Sequence, residues 1–82
     1  MTDADAVLAE IRRVVADELG VRANVTAQSD LLEELRLDSL GLLTLVVGLE
    51  DRFQVALEAG DAEHVRTAGE LAALVARRAG GR

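Results

Sequence analysis

The chain has 82 residues, a formal charge of −6 and no cysteine. A chain this short buries too little surface to enclose a large substrate cavity, and without cysteine it forms neither disulfides nor thiolate metal sites. Its single histidine, His64, excludes a histidine-based metal cluster, and one Phe with no Trp or Tyr leaves little for base stacking. The negative charge repels nucleic acid phosphates and favours basic protein partners.

The location and size of the protein follow from the same composition. No apolar run reaches the length of a membrane span, and the acidic start, with Asp3 and Asp5, differs from a secretory signal. We therefore expect one domain over residues 1–82 that is monomeric, cytoplasmic and without a membrane or nucleic acid partner.

The spacing of apolar residues predicts an all-helical chain, with three main helices and two short helical turns. The first helix is expected over residues 3–19, with Thr2 as its N-cap and Gly20 as the residue that ends it. Its apolar face consists of Val7, Leu8, Ile11, Val14, Val15 and Leu19.

A long connection over residues 21–38 follows the first helix. Such length is unusual in a compact domain without a functional or packing reason. We expect Ser29 or Asp30 to cap a short turn that extends to Leu35. The side chains predicted to fix the connection to the core are Val25, Leu31, Leu32 and Leu35.

The second helix, predicted over residues 39–53, carries apolar residues on two faces. With successive residues about 100° apart, one stripe falls within about 60° of Leu42 and is predicted to face the core. This stripe consists of Leu42, Leu45, Val46, Leu49 and Phe53. A second patch, about 100–160° away, consists of Leu40, Leu43 and Val47, with Glu50 beside it and Asp51 further round.

Two interpretations of this second patch remain open. Either the helix is buried on most of its circumference, or the patch is an exposed contact surface with an acidic rim; the small size of the bundle favours the contact surface. Gly41 and Gly48 interrupt the same helix, where each glycine costs up to about 1 kcal/mol relative to alanine. Either another group approaches closely there, or the helix is locally weak.

A short turn is predicted over residues 61–65, and the last helix begins with a clear signal. Thr67 and Glu70 have the spacing of a capping box, with Thr67 as N-cap and Glu70 at N3. Its buried stripe contains Leu71, Leu74 and Val75.

Ser39, at the start of the second helix, has two interpretations. As an N-cap, its oxygen would accept a hydrogen bond from a free backbone N–H. Alternatively, it is modified by another enzyme, because a phosphodiester there would lie near the positive end of the helix dipole, although Asp38 opposes this. A catalytic serine needs a positioned base, and with His64 on a distant predicted turn and no lysine in the chain, we do not expect an enzyme.

The segment Asp38-Ser39-Leu40 resembles the Asp-Ser-Leu attachment motif of acyl carrier proteins. The similarity continues through residues 45–53, which resemble the second helix of that family. Residues 25–35 resemble the stretch that leads to the motif, and residues 61–67 the third helix and the start of the fourth. The tripeptide alone is a weak signal, but the resemblance covers nearly the whole chain.

The resemblance implies a fold, a cofactor and partners. The fold would be a small right-handed four-helix bundle, with a short third helix and a long loop between helices one and two. Ser39 would carry 4′-phosphopantetheine, transferred from coenzyme A by a Mg²⁺-dependent phosphopantetheinyl transferase, and would hold acyl-type intermediates as thioesters. Further partners would be an acyl-loading ligase or acyltransferase, and a ketosynthase or other tailoring enzymes. The partner-contact positions would be Leu40, Leu43 and Val47, with the acidic positions Glu50 and Asp51.

The chain departs from the usual fatty-acid pattern of this family. Gly41 and Thr44 stand where acids are frequent, and Arg36 and Arg52 add positive charge near the contact surface. We therefore expect a free-standing carrier of polyketide, antibiotic or other natural-product biosynthesis. An aminoacyl or aryl carrier loaded by a separate adenylating ligase is the alternative, although the Gly-Gly-x-Ser pattern of peptidyl carriers is absent. From another class, an unmodified helical adaptor that binds protein partners also remains open.

Overall fold

The computed structural model describes residues 3–80. Its helices are α1 (Ala4–Arg13), continued by a π-helical segment (Val14–Glu18), then α2 (Ser39–Phe53), α3 (Ala59–Glu63) and α4 (Ala68–Gly80). The prediction of a small all-α bundle, with a short third helix and a long loop between the first and second helices, is confirmed. In the described range, no helix combines the length and apolar character that crossing a membrane requires.

The first helical region begins and ends differently from the prediction. Asp3 is the N-cap of α1, and its Oδ1 accepts the Ala6 N–H at 2.8 Å; the predicted cap, Thr2, lies outside the described residues. The second half of the region is a π-helix, whose widened turns are closed by Leu19 N–H donating to the Val14 carbonyl at 3.0 Å. Gly20, with φ of +68°, follows this region, in agreement with its predicted role.

The hydrophobic core forms between α1, α2, α4 and the long loop. Its helical residues include Val7, Ile11, Val14, Val15, Leu45, Leu49, Leu71, Ala72 and Val75. Its loop residues are Val25, Leu31, Leu35 and Leu37. The loop over residues 21–38 is therefore held against the core by four buried apolar side chains and contains no helix.

The prediction for Leu32 is wrong, because 54% of this residue is exposed. Asp30 caps the turn, and its Oδ1 accepts the N–H groups of Leu32 and Glu33 at 3.0 and 2.8 Å. This turn directs Leu31 and Leu35 into the core, and Leu37, which the pattern did not indicate, is also buried.

The long loop is attached to the start of α4, and to the residues just before it, by backbone hydrogen bonds. They join Leu31 N–H to the Arg66 carbonyl (2.8 Å), Ala68 N–H to the Ser29 carbonyl (2.9 Å) and Gly69 N–H to the Ala27 carbonyl (2.9 Å). The approach at Gly69 is so close that a Cβ there would lie 2.7 Å from the Ala27 oxygen. Glycine at this position therefore permits the attachment.

The capping box of α4 is confirmed. Thr67 Oγ1 accepts the Glu70 N–H at 3.1 Å, and Glu70 Oε1 accepts the N–H groups of Arg66 and Thr67 at 2.8 and 3.0 Å. These backbone hydrogen bonds, first that from Arg66, hold the pKa of the Glu70 carboxyl below its ordinary value. An ion pair between Arg78 Nη2 and Asp61 Oδ1, at 2.6 Å, joins α4 to α3.

We predict that Gly69→Ala lowers the free energy of unfolding by about 1–3 kcal/mol, because the new methyl group overpacks against Ala27. Denaturant unfolding followed by circular dichroism measures the change. Gly60→Ala is the matched control, since a Cβ at Gly60 in α3 meets no atom within 4 Å. Equal stability of the two variants would contradict the close approach at Gly69.

We predict that Glu70 contributes to stability in a pH-dependent way. Folding lowers its pKa from 4.5, so its contribution is present above the unfolded pKa and is lost as the pH falls through the folded value. The difference in unfolding free energy between the wild type and Glu70→Ala should therefore shrink as the pH is lowered from neutral to below 4.5. A difference that stays constant over this range would contradict the capping role of the ionised carboxylate.

Candidate functional site

The two apolar faces of α2 have different environments. Leu45 and Leu49 are fully buried, whereas Leu40, Leu43 and Val47 are 70%, 57% and 51% exposed. We call these three exposed residues the ridge. Their exposure rules out the interpretation in which α2 is buried on most of its circumference.

Ser39 is the first residue of α2, and Asp38 is its N-cap. Asp38 Oδ1 accepts the Gly41 N–H at 2.7 Å, so the capping hydrogen bond of the first turn is made by the aspartate. Ser39 is exposed, and its Oγ makes no hydrogen bond to any other described residue. The interpretation of Ser39 as the N-cap is therefore wrong, and its hydroxyl is free for another role.

The backbone just before α2 fixes the position of Asp38 and Ser39. Arg36 adopts a left-handed conformation with φ of +61°, which is unfavourable for residues other than glycine or asparagine. Leu37 is buried, and its N–H donates to the Leu31 carbonyl at 3.1 Å. The chain is thus anchored in the core two residues before Ser39.

An open groove of about 410 Å³ begins at Ser39, between α2 and the loop that precedes α3. Its lining residues are Ser39, Leu42, Leu43, Val46, Glu50, Leu57 and Glu58. Leu42 and Val46, predicted to face the core, are half-buried and form its apolar floor. Leu57 was not singled out, because a loop residue without periodic neighbours carries no signal of its position.

Glu50 and Asp51, the predicted acidic partner positions, differ in their surroundings. Glu50 is half-buried, and its Oε2 accepts the Leu57 N–H at 2.8 Å, which ties the loop before α3 to α2. Asp51 is exposed, and its carboxylate forms no ion pair within residues 3–80. Asp51 is thus the more available of the two carboxylates.

A second depression, the α1–α2 cleft, has a volume of about 580 Å³. It is lined by Glu10, Arg13, Glu18, Leu43, Thr44, Val47, Gly48, Asp51 and Arg52. Arg13 Nη2 pairs with Glu10 at 2.6 Å and with Glu18 at 3.1 Å, and its hydrogen bond lowers the pKa of Glu10. The sequence did not reveal this cleft, since only the packing of α1 against α2 brings these residues together.

The chemistry available at Ser39 is that of an accessible hydroxyl. Because no described side chain donates to or accepts from its Oγ, the described part of the chain supplies no base to activate it. Within residues 3–80, no group of three histidine, aspartate or glutamate side chains is placed to hold a metal ion. The site therefore suits a residue on which another enzyme acts.

Residues 9–75 match a protein-family model described as a phosphopantetheine attachment site. The chain is 35% identical over 72 residues to an acyl carrier protein of Chlamydia felis, which covers 87% of this chain and 92% of that protein. It is 32% identical over 72 residues to an acyl carrier protein of Exiguobacterium, and the match covers 87% of this chain and 91% of that protein. An acyl carrier protein of Thermotoga maritima is 27% identical over 81 residues, and the match covers 98% of this chain and 100% of that protein. The chain belongs to the acyl carrier protein family.

Family membership confirms the carrier role and the covalently attached 4′-phosphopantetheine group that the resemblance implied. It also means that the protein is a carrier and not an enzyme, and that it works with a phosphopantetheinyl transferase and acyl-handling enzymes. The unmodified adaptor is thereby rejected. The free, exposed hydroxyl of Ser39 and the groove beside it fit such a group.

We predict that Val47→Asp leaves the fold intact, with a loss of less than about 1 kcal/mol in unfolding free energy, because Val47 is half-exposed on the ridge. Far-UV circular dichroism and denaturant unfolding measure the outcome. The matched control is Val75→Asp in α4, where the wild-type valine is 0% exposed and a buried charge should unfold the protein. Loss of helicity in Val47→Asp would place this residue in the core.

Proposed function

We propose that Ser39 Oγ is the atom that carries 4′-phosphopantetheine, and that the protein presents acyl-type intermediates on it to partner enzymes. The observation that carries this proposal is the assignment of the N-cap to Asp38, which leaves the Ser39 hydroxyl exposed and without a hydrogen-bond partner in the described chain. When bound, the group supplies a terminal thiol that holds acyl groups as thioesters.

The attachment reaction needs little from this chain beyond an accessible hydroxyl. Ser39 Oγ forms a new P–O bond and loses its proton, while the pyrophosphate bond of coenzyme A breaks and adenosine 3′,5′-bisphosphate leaves. Because the described chain places no base at Ser39, the transferase supplies it. The first turn of α2 then places the positive end of a helix dipole near the phosphodiester.

The groove beside Ser39 is the place that we propose for the apolar part of the cargo. Leu42, Val46 and Leu57 give it apolar walls, and its volume of about 410 Å³ suits a short chain. In this proposal, the cargo folds back from Ser39 into the groove between α2 and the loop before α3.

For the pathway, we propose polyketide or other natural-product biosynthesis. The support is the reduced acidity of α2, with Gly41, Thr44 and Arg52 in place of a more acidic surface. In this setting, a ketosynthase and an acyltransferase or acyl-loading ligase would be the partners. An aminoacyl or aryl carrier is the second candidate, since the carboxylates of Glu50 and Glu58 at the groove would suit a cationic amino group. A ligase that adenylates its substrate would then load the carrier.

We predict that incubation with coenzyme A, Mg²⁺ and a promiscuous phosphopantetheinyl transferase adds the mass of one phosphopantetheine to the wild type and none to Ser39→Ala. Intact-protein mass spectrometry measures the gain, and circular dichroism confirms that both proteins are folded. An unmodified wild type, with a known carrier modified in parallel, would contradict the proposal. A gain that persists in Ser39→Ala would place the attachment on another residue.

A further inference from the structure

The π-helical segment at the end of α1 shifts the register of the helix by one residue. Leu19 N–H donates to the carbonyl of Val14 at 3.0 Å. This bond joins residues five apart, whereas an α-helix pairs residues four apart. Val14 and Val15 are buried, and Leu19 packs against the core. The wide turn therefore belongs to the packed part of the protein.

The register matters because of where a regular α-helix would place Glu18. Ile11 is fully buried and marks the core side of the helix. At about 100° per residue, residue 18 of a continuous α-helix would lie about 20° from Ile11, and residue 19 about 80° away. Such a helix would turn the Glu18 carboxylate into the core. The one-residue shift moves Leu19 toward that position instead, and Glu18 is exposed.

An ion pair accompanies the shift. Arg13 Nη2 lies 3.1 Å from Glu18 Oε2. Residues five apart lie about 140° apart around an α-helix, so these two side chains meet because the turn is wide. Their side chains are 48% and 47% exposed, and an exposed ion pair contributes little to stability. Burial of an unpaired charge costs far more, so the main effect of the shift is to keep Glu18 out of the core.

We infer that the end of α1 is a conformational device with two helical registers, and that the charge of Glu18 holds it in the π-helical one. The α-helical register is the alternative state of the same segment. An apolar side chain at position 18 selects this state, because residue 18 can then pack against the core. In the π-helical register, Glu18 lines the α1–α2 cleft, so the register also sets the charge of that wall.

The test replaces Glu18 and, as the matched control, Asp17 by leucine. Both are exposed carboxylates in the segment, but residue 17 of an α-helix would lie about 120° from the core side. NMR couplings across hydrogen bonds identify the carbonyl that accepts the Leu19 N–H. We expect this carbonyl to be that of Val14 in the wild type and in Asp17→Leu, and that of Val15 in Glu18→Leu.

Two outcomes of this test contradict the inference. A Val14 acceptor in Glu18→Leu would overturn it, since the register would then be independent of the charge. A Val15 acceptor in Asp17→Leu would overturn it as well, because the register would then not depend on position 18. Neither readout involves Ser39, so the result is independent of the proposed attachment.

A deletion tests the register without changing any charge. Removal of Ala16, which is exposed, lets a continuous α-helix place Leu19 on the core side and Glu18 at the surface. We expect this variant to unfold at the same denaturant concentration as the wild type or at a higher one. Deletion of Ala73 from α4 is the matched control and should lower that concentration, because it rotates Leu71 away from the buried face. A lower unfolding concentration for the Ala16 deletion would overturn the inference.

Discussion

The attachment of the long loop to the first turn of α4 is the constraint on which the rest of the structure depends. A chain of 82 residues has a small core, and four of the apolar side chains in that core come from this loop. The hydrogen bond from Gly69 N–H to the Ala27 carbonyl, and the two beside it, hold the loop against α4. With the loop fixed, Leu37 is anchored in the core and Asp38 and Ser39 emerge together at the surface.

Helix α2 contributes one apolar face to the core and exposes the other on the surface of the protein. Leu45 and Leu49 pack in the core, while the ridge remains exposed. The ridge separates two depressions, one that contains Ser39 and one that faces α1. In our proposal, the cargo uses the depression that contains Ser39. Leu43, which lines both depressions, is the residue they share.

The regular parts of the fold were predictable from the sequence, because they depend on local signals. The bounds of α2 and the capping box of Thr67 and Glu70 follow from periodicity and from hydrogen bonds between near neighbours. Helix geometry and the small size of the bundle favoured an exposed ridge but left a buried one open, and the structure shows that the ridge is exposed. The resemblance around Asp38-Ser39-Leu40 gave the family, which the comparisons then confirmed.

The remaining features depend on contacts between distant residues or on choices that local signals leave open. Asp38 and Ser39 are both favoured N-caps, and the structure assigns the cap to Asp38. Leu32 was wrongly predicted to face the core and Leu37 was not indicated, because an irregular loop has no period that gives the direction of its side chains. The α1–α2 cleft is assembled from two helices, and Leu57 reaches the groove from a loop.

The most direct test of the central claim is to locate the added group by peptide fragmentation mass spectrometry of the modified wild-type protein. The chain contains two serines, and they differ sharply: Ser29 is 1% exposed and its Oγ accepts the Thr26 N–H, whereas Ser39 is exposed with a free hydroxyl. Our account predicts that every fragment carrying phosphopantetheine contains Ser39 and that fragments containing only Ser29 are unmodified. Phosphopantetheine on any residue other than Ser39 would contradict it.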